Sequence, residues 1–107
     1  MRNVAKPKTL LWTAHSRYKM RHYGLSEQKV RSVLNSPKRI EKGIADGTIA
    51  FLLSAGSVKH PHEIWVMVAD DKDKRRVISA WRYPGITKPG EPLPAAIVHE
   101  MEALTEE

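Results

Sequence analysis

The sequence predicts an α+β fold with two N-terminal helices packed on an antiparallel sheet of three to four strands, followed by an acidic C-terminal helix. Apolar residues recur at helical spacing before Pro37, and they form short strand-like runs after it. Because the helices precede the strands instead of alternating with them, a layered α+β arrangement is expected. The chain has 107 residues, which suits a single domain with one hydrophobic core.

The N-terminal half contains the best-marked elements. Residues 9–12 predict a short strand, and residues 14–23 predict a helix that ends before Gly24, since glycine readily adopts the left-handed conformation past a helix end. Ser26 is a good N-cap for a second helix, with Glu27 placed at its positive end. The apolar stripe of this helix consists of Val30, Val33 and Leu34, and Pro37 ends the helix.

The C-terminal half reads as strands. The run at 63–69 is apolar on both faces, which predicts a central strand covered on two sides. Further strands are predicted at 39–43, 48–54 and 75–83. The predicted organisation is one domain with a mobile basic arm at 1–8, an α+β core at 9–85, and a proline-rich connection and acidic helix at 86–107.

Positive charge is concentrated at one end of the chain. The formal net charge is +6, yet residues 1–45 hold eleven Lys and Arg against two Glu, whereas residues 46–107 hold seven Lys and Arg against ten acidic residues. A chain polarised in this way attracts polyanions such as RNA or DNA. The alternative is that these charges are ordinary solvating groups of a small protein.

Composition excludes several classes of protein. With no cysteine, the chain has neither a disulfide framework nor thiolate metal ligands, and it suits a reducing compartment. No apolar run approaches the roughly 18 residues that a membrane span needs, and the charged N-terminal arm lacks the apolar stretch of a signal peptide. We therefore expect a cytoplasmic protein that does not bind a membrane and needs neither a metal nor another cofactor.

The first predicted helix carries groups able to transfer protons. On a helical wheel, His15, Tyr18 and His22 fall within an arc of about 60°, with Arg17 and Arg21 one turn apart beside it. Imidazole transfers protons near neutral pH and guanidinium holds phosphate oxygens, so the cluster is typical of phosphodiester chemistry or phosphate binding. In the structural alternative, Tyr18 packs in the core and the histidines bond to backbone or carboxylate groups.

A second candidate group lies at the end of the last strand. Strand alternation puts Trp81 and Tyr83 on one face and Arg82 on the other. An aromatic ring beside an arginine can stack on a base and hold its phosphate, although Trp81 by itself is more typical of a core. His60 and His62 are expected in a solvated hairpin loop, because no third metal ligand accompanies them.

The stretch from residue 12 to residue 37 resembles the opening of a widespread group of short bacterial and archaeal domains. The resembling residues are Trp12-Thr13-Ala14-His15-Ser16, Lys19-Met20, Gly24-Leu25-Ser26-Glu27, Val30, Val33-Leu34 and Asn35-Ser36-Pro37. This group is usually placed near the RelE/ParE toxins and the BrnT-type toxins, and the resemblance continues weakly through the strands to residue 85. It implies a compact ribonuclease-like or gyrase-inhibiting toxin fold, commonly paired with a small antitoxin.

The resemblance also implies RNA cleavage without a metal, by basic, tyrosine and sometimes histidine side chains that act on the 2′-hydroxyl and the phosphate. His15 matches the opening histidine of the group, and Arg82 and Tyr83 resemble residues late in the sheet of such toxins. With the helix cluster, the predicted catalytic residues are His15, His22, Arg82 and Tyr83. The predicted nucleic-acid-binding residues are Arg17, Lys19, Arg21, Lys29, Arg31, Lys38 and Arg39.

The favoured function is therefore that of a toxin-like RNA-binding protein of a toxin–antitoxin system, acting as a metal-independent endoribonuclease on RNA, free or on the ribosome. The alternative is a non-catalytic module of the same fold that binds RNA, DNA or a protein. A third hypothesis is that the acidic C-terminal helix covers the basic face of its own chain or contacts another chain.

Overall fold

The computed structural model describes residues 8–90, which form two helices and five strands. In chain order the elements are β1 Thr9–Trp12, α1 Ala14–Tyr23, α2 Glu27–Asn35, β2 Arg39–Lys42, β3 Thr48–Gly56, β4 Pro61–Asp71 and β5 Lys74–Pro84. The predicted basic arm, apart from Lys8, and the predicted acidic C-terminal helix lie outside the described residues. None of the described helices is long and apolar enough to cross a membrane.

The prediction of an antiparallel sheet of three to four strands is wrong, because the sheet has five strands and is mixed, in the order β1-β5-β4-β3-β2. β2 to β5 form the antiparallel meander, whereas β1 pairs in parallel with β5, with Leu10 opposite Arg75. Residues 9–12 do form the expected strand. Local sequence patterns do not identify a pairing partner so distant in the chain. By pairing with the outer edge of β5, β1 gives its backbone N–H and C=O groups hydrogen-bond partners.

Both helices begin and end where the sequence predicts. The Thr13 hydroxyl oxygen accepts a hydrogen bond from the Ser16 amide at 3.0 Å at the start of α1, and Gly24 ends this helix with a φ of 67°. The Ser26 hydroxyl oxygen accepts from the Lys29 amide, also at 3.0 Å, at the start of α2. These caps satisfy backbone groups that a helix leaves unpaired, and they therefore fix the ends of the two helices.

The two helices pack on one face of the sheet, which we call the helix face. A bulge adjusts this face: Met67 pairs with Ser79 while Val68 pairs with Val77, so Ile78 is an extra residue in β5. Because of the extra residue, Val77 before the bulge and Ala80 after it both lie on the helix face. The buried residues there are Met20, Leu25, Val30, Val33, Leu34, Phe51, Ile64, Val66, Val68, Val77 and Ala80.

The opposite side of the sheet, which we call the second face, is also buried at its centre. Trp65 and Trp81 stack there with ring centroids 5.7 Å apart, and they belong to a second cluster with Leu52 and Met67. All four side chains are at most 2% exposed. β4 is thus covered on both faces, as its unbroken apolar run predicts.

Thr87 ties the chain after β5 to the second face. Its hydroxyl donates to Glu63 Oε1 at 2.8 Å and accepts from Arg39 Nη2 at 2.6 Å. Trp65 Nε1 donates to the same Glu63 oxygen at 3.1 Å. Glu63 is only 1% exposed, so these two hydrogen bonds supply the partners that a buried carboxylate requires.

Candidate nucleic-acid interface

Trp12, the last residue of β1, lies beside two arginines from different helices. The Cζ atom of Arg17 is 5.4 Å from the centre of the Trp12 ring, and that of Arg31 is 5.6 Å from it. The attraction between a guanidinium and the indole ring holds both cations at one place, against their mutual repulsion. We call Arg17, Trp12 and Arg31 the arginine–tryptophan cluster.

A single carboxylate offsets the charge of this cluster. Arg17 Nη1 donates to Glu27 Oε2 at 2.9 Å, and Glu27 is the only carboxylate within ion-pair distance of either arginine in residues 8–90. Both side chains of this pair are nearly half exposed, so the ion pair itself adds little to stability. The cluster keeps a surplus of positive charge at the surface.

Next to the cluster lies a cleft of about 380 Å³. It lies on the helix side of the sheet, between the start of β1, α2 and β5. The parallel pairing of β1 with β5 places the residues of these two strands side by side in the cleft. We call it the basic cleft. Its lining residues are Lys8, Leu10, Arg31, Leu34, Asn35 and Arg75.

Arg75 is held in a fixed orientation in this cleft. Its Nε and Nη2 donate to the two carboxylate oxygens of Asp70 at 2.7 and 2.9 Å, and its Cζ lies 4.9 Å from the centre of the Phe51 ring. The hydrogen bond from Arg75 lowers the pKa of Asp70 below its usual range, against the opposing effect of partial burial. Arg75 Nη1 takes part in neither bond to Asp70, so its N–H groups can serve another acceptor.

The predicted cluster on α1 is divided by burial. Tyr18 and His22 are exposed, and their rings stack with centroids 6.4 Å apart, while His22 meets Tyr23 edge-on at 4.7 Å. His15 is half-buried and lies seven residues earlier, which is about 10 Å along the helix axis. The alternative that Tyr18 packs in the core is wrong, because 57% of this residue is exposed.

The lysines and the second arginine of the two helices have different surroundings. Arg21 is exposed one turn after Arg17, and Lys29 is partly exposed in the first turn of α2. Lys19 is buried, with its ammonium 5.1 Å from the centre of the Tyr23 ring. Of these three predicted binding residues, Arg21 is therefore the one placed most openly for a phosphate.

Arg82 supports the end of α1. Its Nε donates to the carbonyl oxygen of Tyr23 at 2.8 Å, its Nη2 lies 3.5 Å from the Gly24 carbonyl oxygen, and its Nη1 is 2.9 Å from His62 Nε2. A cation at the carbonyl end of a helix is favoured by the helix dipole. His62, expected in a solvated loop, is instead half-buried in β4. Tyr83 packs on the second face, so Arg82 and Tyr83 point to opposite sides of the sheet, as strand alternation predicts.

The predicted binding residues after α2 lie apart from the cluster and the cleft. Arg39 projects from β2 onto the second face, where its Cζ is 5.8 Å from the centre of the Trp65 ring and its Nε is 2.7 Å from Glu41 Oε2. Lys38 Nζ donates to the Ser54 hydroxyl at 3.2 Å. The sheet therefore separates Arg39 from the arginines of the helix side.

Sequence reasoning missed three contributors to this interface. The sequence predicts that Lys8 lies in the mobile arm and indicates only a strand for Arg75. For Trp12 it indicates a strand position and the family resemblance. A signal existed for Arg75, because a hairpin at the charged turn after β4 places Asp70 directly opposite Arg75. No such signal brings Lys8 near them, since its position depends on the partner of β1.

Within residues 8–90, no three His, Asp or Glu side chains lie close enough together to hold a metal ion. No protein-family model, curated protein or solved structure matches this chain.

Proposed function

We propose that this protein binds single-stranded RNA through a basic band on its helix side, which consists of Arg21, Arg17, Arg31, Arg75 and Lys8. The observation that carries the proposal is the position of Arg17 and Arg31 around one tryptophan ring, at 5.4 and 5.6 Å from its centre. Two guanidinium groups held there beside one carboxylate keep a positive surplus that a phosphate backbone neutralises.

Aromatic rings beside the band favour RNA with unpaired bases. Tyr18 is largely exposed, and its ring stacks on that of His22 one turn further along α1. Unpaired bases stack on exposed rings and on guanidinium planes, whereas a duplex keeps its bases paired inside. A single strand can therefore use both the cations and the rings of this surface.

The resemblance of residues 12–37 to RelE/ParE-type and BrnT-type domains supports a role in a cytoplasmic toxin–antitoxin system, with a small antitoxin as protein partner. RNA cleavage is the second candidate function, and His22 is the residue that favours it. Its imidazole is exposed, stacks on Tyr18 and directly follows Arg21 in the chain. A group that transfers protons is thus exposed on the same helix as Arg17 and Arg21, two cations of the band. Arg82 has no phosphate role in this proposal, because its donors face the end of α1.

The proposal is tested by fluorescence anisotropy with a short labelled RNA, the DNA strand of the same sequence and the RNA duplex. Replacing Arg17 and Arg31 together by Ala should weaken binding of the single-stranded RNA about tenfold at low salt. It should also reduce the slope of log K against log salt by about 1.4, since each contact to a single-strand phosphate contributes about 0.7.

The matched control is the double variant Lys42→Ala with Lys59→Ala, which removes the same charge from exposed positions outside the band. Circular dichroism checks that each variant is folded. Equal weakening in both double variants would show that net charge alone governs binding and would contradict the proposal. In the cleavage assay, His22→Phe, which keeps an aromatic ring but cannot transfer a proton, should keep the RNA affinity and lose the products if the protein is a nuclease.

A further inference from the structure

We infer that the basic cleft binds a terminal phosphate monoester on a nucleoside, as found at a phosphorylated RNA end, in preference to a phosphodiester within the strand. The inference rests on the proposed RNA binding, because the cleft forms one end of the basic band and shares Arg31, Arg75 and Lys8 with it. Three features of the cleft carry it: its charge, the directions of its donors and its apolar lining.

The charge of the cleft matches a dianion. Lys8, Arg31 and Arg75 bring three positive charges, and Asp70, paired with Arg75, brings one negative charge. A phosphate monoester carries about −1.5 to −2 charges at neutral pH because its second pKa is about 6. A phosphodiester carries a single negative charge and leaves one cation of the cleft without an anionic partner.

The donors of the cleft come from three directions. Arg75 projects from β5, Arg31 and Asn35 from α2, and Lys8 from the start of β1. Lys8 Nζ donates one N–H to the Lys72 carbonyl oxygen and keeps two N–H groups for a ligand. Because Asp70 and Phe51 fix the guanidinium plane of Arg75, its Nη1 is presented without a further loss of conformational freedom. A monoester offers three terminal oxygens to such converging donors, whereas a diester offers two.

The cleft also has room and apolar surface for the nucleoside that carries the phosphate. Leu10 and Leu34 line it together with the polar groups. Its volume of about 380 Å³ lies within the range of small-ligand sites. A lining that contains both cations and leucines suits a ligand with a charged group attached to a less polar body.

The test compares one short RNA in three forms: with a 5′-phosphate, with a 3′-phosphate, and with hydroxyl groups at both ends. We expect a terminal phosphate to tighten binding about tenfold in the wild-type protein, as one or two charge-assisted hydrogen bonds would. Lys8→Ala and Arg75→Ala should each reduce this gain to less than about twofold. Lys8 precedes β1 and has no place in the core, so Lys8→Ala keeps the test decisive if Arg75→Ala does not fold.

The matched control is Arg76→Ala. Arg76 is the next residue of β5, is exposed, and lies on the opposite face, so this variant loses the same charge and should keep the tenfold gain. Adenosine 5′-monophosphate should displace the RNA only at much higher concentration than an unlabelled phosphorylated RNA, because it lacks the contacts to Arg17 and Arg21, the part of the band outside the cleft. Displacement at similar concentrations would identify a free nucleotide as the ligand and overturn the assignment to an RNA end.

The outcomes separate the two proposals. Equal binding of the three RNA forms to the wild-type protein overturns the assignment of the cleft and leaves the proposed RNA binding intact. No binding of any form at low salt overturns both. A phosphate-dependent gain that disappears in Arg76→Ala as well as in Lys8→Ala also overturns the cleft, since it shows an effect of overall charge.

Discussion

The guanidinium of Arg82 lies against the C-terminal end of α1, where its Nε donates to the carbonyl oxygen of Tyr23 at 2.8 Å. This bond connects the last turn of the basic helix to β5, the strand that carries Arg75. The partners of Arg82 are Tyr23, Gly24 and His62, so this side chain stabilises the junction of α1 with β5 and does not face the ligand.

Replacing Arg82 by Met should lower the free energy of unfolding by about 2 kcal/mol, because it removes a charge-assisted hydrogen bond and leaves the Tyr23 carbonyl without it. Arg82→Lys keeps the charge near the helix end and should lose less. Urea denaturation measures both. RNA affinity at a temperature where the variants are folded should change less than twofold, since hydrogen bonds to the helix end do not contact the ligand. A stable variant with strongly weakened RNA binding would show that Arg82 contacts RNA directly.

Asp70→Asn should make stability less dependent on pH. The hydrogen bond from Arg75 lowers the pKa of Asp70 from 3.8, so the ionised carboxylate stabilises the fold above the unfolded-state pKa, and this contribution is lost as the pH falls through the lowered folded-state pKa. The variant should be about 1 kcal/mol less stable than wild type near neutral pH, and this difference should shrink below about pH 4.

Urea denaturation at neutral pH and at about pH 3 checks this expectation, with Asp71→Asn as control. Asp71 is the next residue and is exposed, so its replacement should have a small effect at both pH values. A difference between Asp70→Asn and wild type that persists unchanged at the acidic pH would contradict the assigned ion pair.

Thr87→Val should destabilise the second face. The change keeps the shape of the side chain but removes the hydroxyl that donates to buried Glu63 and accepts from Arg39. A buried carboxylate that loses a hydrogen-bond donor costs about 2 kcal/mol of folding free energy. Thr87→Ser retains the hydroxyl and should remain close to wild type in the same denaturation experiment. A larger loss of stability in Thr87→Ser than in Thr87→Val would indicate that the methyl group, rather than the hydrogen bonds, holds this segment.

Gly43→Ala should be more damaging than Gly47→Ala, although both glycines lie between β2 and β3. A Cβ at Gly43 would lie 2.6 Å from the backbone carbonyl carbon of Thr48, which forces the hairpin apart. A Cβ at Gly47 would meet open space, but the φ of +77° there lowers stability by about 1 kcal/mol for a residue with a side chain. We expect a loss of about 3 kcal/mol for Gly43→Ala, by thermal or urea unfolding. The reverse order of stability would show that backbone conformation outweighs the close contact.

Elements that local chemistry controls could be predicted from the sequence. Ser26 and Gly24 mark helix boundaries because one caps free amides and the other adopts a positive φ, and both effects act within a few residues. The alternation that separates Arg82 from Tyr83 is equally local. The position of β1 in the sheet could not be predicted, since the pairing of Leu10 with Arg75 is decided by the assembled fold.

The same distinction explains which parts of the interface were predicted. Arg17 and Arg31 stood out because they lie on the exposed sides of recognisable helices. Their meeting at Trp12 depends on how β1 and both helices pack, and no periodic pattern encodes it. Arg82 had the residue type of a phosphate ligand, but its role was set by the helix end that the fold places beside it.

The parallel pairing of β1 with β5 determines when a growing chain can acquire the basic cleft. Lys8 and Arg31 leave the ribosome early, whereas Arg75 emerges only after most of the domain has been synthesised. Contacts between such distant segments form after the local ones, because the intervening chain must first be closed into a loop. A nascent fragment that stops before residue 74 has both helices with all of their charge but lacks Arg75 and the β1–β5 pairing that form the cleft. The capacity to recognise such an end would therefore arise abruptly, late in translation.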